Sequence, residues 1–162
     1  MRLYLKRDTS HCDARFIILN EQGYERFYVV NSANHKYGRI NITDLGFNKL
    51  CSISTIPLPL FKAYTICDNK DTIRLVFSKN TARPVCYYYG ISWRITGDFL
   101  GKNYEIVDHD NKVLLSHYNT HSRISDGYEL VIYDENRLLL LLSSVICIDS
   151  IEITNSKQFQ TV

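Results

Sequence analysis

Histidine side chains are the first candidates for catalysis or metal binding in this chain. The five histidines are His11, His35, His109, His117 and His121. His117 and His121 are four residues apart, a spacing that would place both on one face of a helix. We place them instead across a strand end and a loop, where this spacing has no such meaning. We expect surface histidines, because a metal site needs three or four ligands.

The cysteines and the known catalytic motifs give no sign of an active site. Five cysteines, at positions 12, 51, 67, 86 and 147, form no close pair. Tetrahedral zinc sites usually take cysteines in close pairs, so the sequence predicts no metal site. Disulfides are rare in cytosolic proteins, and we expect free, mostly buried thiols. The chain lacks P-loop, GxSxG, HExxH and dinucleotide-binding motifs. We therefore predict a protein that is not an enzyme and has no cofactor.

Three acidic positions resemble catalytic groups but have simpler interpretations. Gly97-Asp98-Phe99 looks like a catalytic loop, but we interpret it as a turn between strands. Gly97 would supply an unusual φ and Phe99 would pack inward. Asp44 and Asp108 could form a pair of catalytic carboxylates. We interpret both as the first residues of turns, where an aspartate accepts hydrogen bonds from the backbone that follows.

Positive charge is concentrated in the first part of the chain. Residues 1–94 hold 14 of the 19 Lys and Arg but only 7 of the 17 Asp and Glu. This excess is modest beside that of a dedicated nucleic-acid-binding protein, so we predict no nucleic-acid partner. Convergent basic side chains would instead hold a phosphate group. The candidates are Lys36, Arg39, Arg74, Lys79, Arg83 and Arg94. The alternative is that these side chains are solvated and cover the surface with their aliphatic stems.

Short β-rich segments, separated by Gly, Asn and Asp turn signals, occupy most of the chain. Twelve tyrosines and seven phenylalanines also favour sheet. The predicted strands are residues 2–6, 15–20, 26–31, 38–43, 49–55, 61–68, 72–78, 85–90, 92–96, 103–108, 112–118 and 127–134. The sequence therefore predicts a mainly β protein built from about twelve strands.

The leucine run near the C-terminus predicts one helix of a special kind. Residues 138–148 are uncharged, but a membrane span needs about 20 such residues, so we predict no transmembrane segment. The leucines go right round a helix, and a helix that is apolar on every side must be enclosed on every side. We predict a helix over residues 135–148, capped by Asp134. Asp149 would return the chain to polar surroundings, and Ile151 and Ile153 suggest a final strand.

A weak internal repeat relates two parts of the chain at an offset of 64 residues. Residues 38–68 match residues 102–132, and Asp44 and Tyr64 correspond to Asp108 and Tyr128. We interpret the repeat as an internal duplication within a single domain over residues 1–162. Two similar half-sheets would then close into a barrel around the leucine helix.

Several segments resemble the bacterial branch of the LURP-one-related family. The similar segments are residues 1–6, 27–31, 93–99, 104–108 and 126–128, and the leucine helix ending at Ile148-Asp149. That family is similar to the tubby C-terminal domain and to phospholipid scramblases. The resemblance implies a closed antiparallel barrel of about twelve strands around a central, buried, apolar C-terminal helix.

The resemblance also gives two expectations for function. Tubby domains bind phosphoinositide headgroups through a basic pocket outside the barrel. Together with the positive charge of the first part of the chain, this similarity to tubby domains implies a non-enzymatic binding or scaffold protein. Such a protein would be cytoplasmic and would bind anionic phospholipid headgroups peripherally. The alternative is a protein–protein interaction module in stress or defence signalling, as the plant relatives suggest. A large exposed apolar or aromatic patch on the outer barrel would favour that alternative.

Overall fold

The secondary structure consists of twelve strands followed by one helix within the ranges described. The computed structural model describes residues 1–8, 14–32, 38–78, 84–119 and 127–159. The strands are β1 (Arg2–Arg7), β2 (Ala14–Asn20), β3 (Glu25–Ser32), β4 (Arg39–Thr43), β5 (Lys49–Pro57), β6 (Phe61–Asp68), β7 (Thr72–Ser78), β8 (Val85–Tyr89), β9 (Arg94–Asp98), β10 (Asn103–Val107), β11 (Val113–Tyr118) and β12 (Tyr128–Ile132). A 3-10 turn over Glu135–Arg137 leads into helix α1 (Leu138–Phe159). Each of the twelve predicted strands overlaps an observed strand.

The strands form one antiparallel sheet that curls into a nearly closed barrel. Its order is β8-β7-β6-β5-β4-β3-β2-β1-β12-β11-β10-β9. The two edge strands, β8 and β9, contact each other and so bring the ends of the sheet together. The prediction of a barrel of about twelve antiparallel strands is confirmed.

The alternation of apolar and polar residues along the strands separates the inside of the barrel from its outside. Ile40, Ile53, Ile66 and Ile73 are cross-strand partners in a row through β4, β5, β6 and β7. All four are at most 5% exposed and belong to the core. Successive side chains of a strand point to opposite faces, so the neighbours of each isoleucine along its strand lie on the outer face.

Helix α1 fills the barrel, as the leucine run predicts. Every residue from Leu140 to Asp149 is buried, and the helix packs against β5, β6 and β7. Ser143 and Cys51 join the helix to β5, with 3.1 Å between the hydroxyl oxygen and the sulfur. Asp134 is the predicted cap, and its side chain accepts a hydrogen bond from the Asn136 backbone at 3.2 Å. The central buried helix is confirmed.

Two predictions for the end of the chain are wrong. Residues 151–153 continue the helix instead of forming a final strand. Strands β1 to β7 and β10 to β12 already have a partner on each side, so a further strand could add only at β8 or β9. Asp149 does not lead the chain out to solvent but is 2% exposed inside the barrel, 3.8 Å from the Lys102 ammonium. Within the described ranges, no helix combines the length and apolar character needed to span a membrane.

The segment around Gly97 differs from its predicted form. Gly97 lies within β9 and not in the turn, which begins at Phe99. Its φ is 94°, as expected for a glycine with an unusual conformation, and an added Cβ would lie 2.8 Å from the Asn103 oxygen. Phe99 is partly buried and packs against the core, as predicted.

Asp44 and Asp108 begin turns, as the sequence predicts. In each turn the aspartate Oδ1 atom accepts hydrogen bonds from the backbone N–H groups two and four residues later, at 2.9 to 3.0 Å. The residue three positions after each aspartate, Phe47 or Asn111, has a positive φ of 61° or 63°. Backbone hydrogen bonding therefore accounts for both carboxylates.

Candidate functional site

Three of the six predicted phosphate-binding residues lie within the described structure. Lys36, Lys79 and Arg83 lie outside the described residues. Arg39 is half-buried at the start of β4, Arg74 is exposed on β7, and Arg94 is exposed at the start of β9.

Two of these arginines lie on one row across the outer face of the barrel. The partners in this row are Arg39, Ser54, Thr65, Arg74 and Tyr89, on β4 to β8 in that order. We call it the arginine row. Three strand spacings separate the two arginines, or about 14 Å.

Arg94 is not part of the arginine row. It lies on β9, across the seam between β8 and β9, and its Nη2 donates a hydrogen bond to Asn111 Oδ1. The structure therefore brings together two of the three described candidates on one face, without joining them in one pocket.

A cluster of exposed apolar side chains lies beyond this row, at the end of the barrel where β5 meets β6. Its members are Ile56, Leu58, Leu60, Phe61 and Val85, which are 39% to 49% exposed. We call this cluster the apolar tip. The turn is closed by a 2.9 Å hydrogen bond from the Leu58 N–H to the Phe61 carbonyl. Phe61 and Val85 lie on one row through Ser78, so β8 extends the cluster sideways.

The sequence contains a signal for this cluster that motif analysis does not use. Residues 56–61 read Ile-Pro-Leu-Pro-Leu-Phe, without a single polar side chain. Connections between strands are normally polar and rich in Gly, Asn and Asp. An apolar turn therefore indicates a surface that contacts a protein or a membrane.

A second group of polar side chains lies inside the barrel near the C-terminal part of α1. His117 is buried, and its ring stacks on Tyr104 at 4.7 Å and lies against the tilted ring of Tyr128 at 5.1 Å. The Lys102 ammonium lies 4.0 Å from the centre of the Tyr128 ring and 3.8 Å from Asp149 Oδ1. The prediction of a surface histidine is wrong for His117, because its ring completes an aromatic stack in the core. His121 lies outside the described residues.

Burial makes His117 a neutral side chain at ordinary pH. Removal of the ring from water lowers its pKa to about 4. The hydrogen bond with the Lys102 backbone opposes this shift, and the Lys102 charge reinforces it. His117 Nδ1 lies 2.9 Å from the Lys102 carbonyl oxygen, so the neutral tautomer that donates from Nδ1 fits this site.

We expect His117 to destabilise the fold as the pH falls from about 6.5 to about 4. In this window the unfolded chain binds a proton that the folded histidine does not bind, so protons favour unfolding. The full shift corresponds to about 3 kcal/mol in the free energy of unfolding. The measurement is urea unfolding at several pH values, in the wild type and in His117→Phe, which keeps an aromatic ring in the stack. Equal pH dependence of the two proteins in this window would contradict the expectation.

One cluster of possible metal ligands occurs among the described residues, in the turn between β10 and β11. The ligand atoms of Asp108, His109 and Asp110 lie within 4.8 Å of one another. His109 and Asp110 are exposed, and the Asp108 carboxylate already accepts the hydrogen bonds of its turn. This arrangement is ordinary for an acidic surface turn.

Comparison with known proteins agrees with this architecture. Residues 1–149 match the LURP-one-related family. The fold is similar to the X-ray structure of a protein from Arabidopsis thaliana, with a TM-score of 0.62 and 13% identity over 93% of this chain and 90% of that chain. No curated protein matches the chain. Because the family match covers most of its length, the chain belongs to the LURP-one-related family.

Proposed function

We propose that this protein is a non-enzymatic peripheral binder of anionic membrane surfaces, at the cytoplasmic face. The observation that carries the proposal is the position of the apolar tip at the end of the barrel, with the arginine row farther from that end on the outer face. We also propose that the chain belongs to the bacterial branch of its family and to the tubby-like superfamily, which the barrel around a central helix supports.

The spacing between the apolar tip and the arginine row suits a membrane interface. Phe61 is four residues from Thr65 on β6, or about 13 Å along the strand. Interfacial elements bury their apolar side roughly 5–10 Å into the boundary between headgroups and acyl chains. With the tip at that depth, Arg39 and Arg74 lie at the level of the phosphates.

The charges and aromatic rings near the tip fit the same orientation. Each Lys or Arg near an anionic surface contributes about 1 kcal/mol to binding. Tyr87 and Tyr89 lie on the outer face of β8 with ring centres 5.4 Å apart, Tyr89 on the arginine row and Tyr87 between that row and the tip. Tyrosine suits the headgroup level because its ring is apolar and its hydroxyl is polar. Lys79 and Arg83 belong to the segment that joins Ser78 to Val85, and we include them among the proposed headgroup contacts.

A second candidate function is a protein–protein interaction module, favoured by a different surface. At the opposite end of the barrel, Phe47 is 68% exposed and stacks on Tyr28 with ring centres 5.2 Å apart. Tyr24, in the turn between β2 and β3, is 71% exposed. Exposed aromatic side chains are enriched at protein interfaces. This surface carries no arginine row, so it favours a protein partner over a membrane.

Vesicle co-sedimentation tests the membrane proposal. We expect binding to phosphatidylserine-containing vesicles at low salt, and weaker binding at about 0.5 M salt, where the screening length is roughly 4 Å. Binding to pure phosphatidylcholine should be weak. An Arg39→Gln and Arg74→Gln double variant should lose part of the preference for anionic vesicles. Equal binding to neutral and anionic vesicles, or none to either, would contradict the proposal and favour the protein-binding candidate.

A further inference from the structure

Three members of the second polar group, Lys102, Tyr128 and Asp149, line a pocket at the mouth of the barrel. The pocket has a volume of about 200 Å³. It is lined by Leu5, Arg7, Phe16, Lys102, Gly127, Tyr128 and Asp149. We call it the mouth pocket. It lies at the same end of the barrel as the apolar tip, because β1 ends there, β12 begins there and β5 turns back there.

The inner part of the mouth pocket is an ion pair held in a fixed position. Asp149 is 2% exposed, and its Oδ1 lies 3.8 Å from Lys102 Nζ. Lys102 also donates a hydrogen bond to the Tyr128 hydroxyl and lies over the Tyr128 ring. Its side chain is only 14% exposed, so the ammonium group is largely shielded from water. A buried pair of this kind holds its charges where they are, because removing either partner leaves the other buried and unbalanced.

The entrance of the mouth pocket carries a further positive charge. Arg7 is exposed at the end of β1 and lines the pocket. Leu5, two residues earlier on β1, lies on the same face and is 1% exposed. Phe16 adds a second buried apolar wall. Arg7, Lys102 and Asp149 together give the pocket one net positive charge.

We infer that the mouth pocket binds a small monoanionic phosphate ester with a short apolar chain. The Arg7 guanidinium can donate two parallel hydrogen bonds to an oxyanion, and Lys102 adds a second positive charge beside it. Asp149 faces the same space, so a ligand with more than one negative charge is disfavoured. Leu5 and Phe16 contact the chain. A water molecule occupies about 30 Å³ in the liquid, so the pocket has room for a ligand as large as about six waters.

This inference goes beyond the proposed membrane function and does not depend on it. The phosphate ester can come from a lipid headgroup or from a soluble metabolite, and the chemistry of recognition is the same for both. The pocket is on the inner side of the barrel wall, whereas the arginine row is on the outer face.

An NMR titration with butyl phosphate near pH 6, where the monoanion is well populated, tests the inference. We expect saturable shifts of the Lys102 and Gly127 backbone amides, which belong to the pocket. Arg7→Gln should weaken binding at least tenfold. Lys6→Gln is the matched control: it removes one positive charge from the adjacent residue, which lies on the opposite face of β1, and should change the affinity less than twofold. Butanol, which lacks the oxyanion, should not bind.

Vesicles containing phosphatidic acid identify the source of the ligand. If Arg7→Gln loses more vesicle binding than Lys6→Gln, the pocket takes a lipid headgroup; if the two variants bind vesicles equally, it takes a soluble ester. Either result, together with saturable butyl phosphate binding, supports the inference that the mouth pocket binds a phosphate ester. The absence of saturable shifts, or equal butyl phosphate affinity in Arg7→Gln and Lys6→Gln, would overturn the inference. The co-sedimentation of the wild type with phosphatidylserine vesicles tests the membrane proposal separately.

Discussion

Replacing Leu140 with aspartate should leave the protein unfolded or close to unfolded at room temperature. Leu140 is 1% exposed within the core formed by α1 and the surrounding strands. Truncating a buried leucine alone costs about 2–5 kcal/mol. The new carboxylate would be buried without a positive partner. Its burial adds several kcal/mol to the loss of stability or forces the group to bind a proton. Since small domains are stable by only about 5–15 kcal/mol, the sum is comparable to the whole.

Circular dichroism and a thermal melt measure this effect. Leu140→Met, which conserves volume, should cost less than about 1.5 kcal/mol and serves as the control for the position. Leu45→Asp introduces the same carboxylate at a leucine that is 51% exposed and should melt close to the wild type. A cooperative melt of Leu140→Asp near the wild-type temperature would show that the helix is not enclosed by the barrel.

Replacing Leu60 with aspartate should reduce binding to anionic vesicles by at least about tenfold. Burying a leucine side chain contributes about 1.5–3 kcal/mol, and a factor of ten corresponds to about 1.4 kcal/mol. The added carboxylate is also repelled by anionic headgroups and costly to move toward the acyl chains. The fold should be retained, because Leu60 is 49% exposed in a turn.

The matched control for this variant is again Leu45→Asp. Leu45 and Leu60 are almost equally exposed, at 51% and 49%, but lie at opposite ends of the barrel. Both variants change the net charge by the same amount, so a non-specific electrostatic effect would weaken both equally. Vesicle titrations that give the same loss for the two variants would rule out the apolar tip as the contact.

The fold could be predicted from the sequence because its signals are local. Alternation with a period of two marks the strands, and the row of isoleucines through β4 to β7 confirms which face is inside. The leucine run is apolar on every side, and this property alone requires an enclosure. The end of α1 was less predictable. Ile151 and Ile153 have the spacing of a strand, but pairing depends on whether a free sheet edge is nearby, which is a property of the whole barrel.

The candidate site was predictable only in part because it depends on register and on distant contacts. Arg39 and Arg74 are 35 positions apart in the sequence and lie on one row only because strands β4 to β7 pair in this register. Lys102 and Asp149 are brought together by the position of α1 within the barrel. The sequence contains no periodic signal for such a pair, since each residue belongs to a different element.

The internal duplication remains a proposal, and the two aspartate turns support it. Asp44 and Asp108 differ by the predicted offset and make the same pair of backbone hydrogen bonds. The pairing of the two strands that flank each turn also shifts register at the same position, between Ile42 and Thr43 and between Ile106 and Val107. Matching irregularities at matching positions are a stronger sign of common ancestry than matching apolar residues, which any two strands of one barrel share.

Depth-dependent fluorescence quenching tests most directly whether the apolar tip enters the membrane. A Leu60→Trp variant would place a tryptophan at the tip, and Leu45→Trp would place one at the opposite end. The native Trp93 is 6% exposed in the barrel core and provides a common background. With anionic vesicles containing lipids brominated on their acyl chains, we predict a blue shift and strong quenching for Leu60→Trp and neither for Leu45→Trp. Unchanged emission from Leu60→Trp on vesicles that bind the protein would contradict the account.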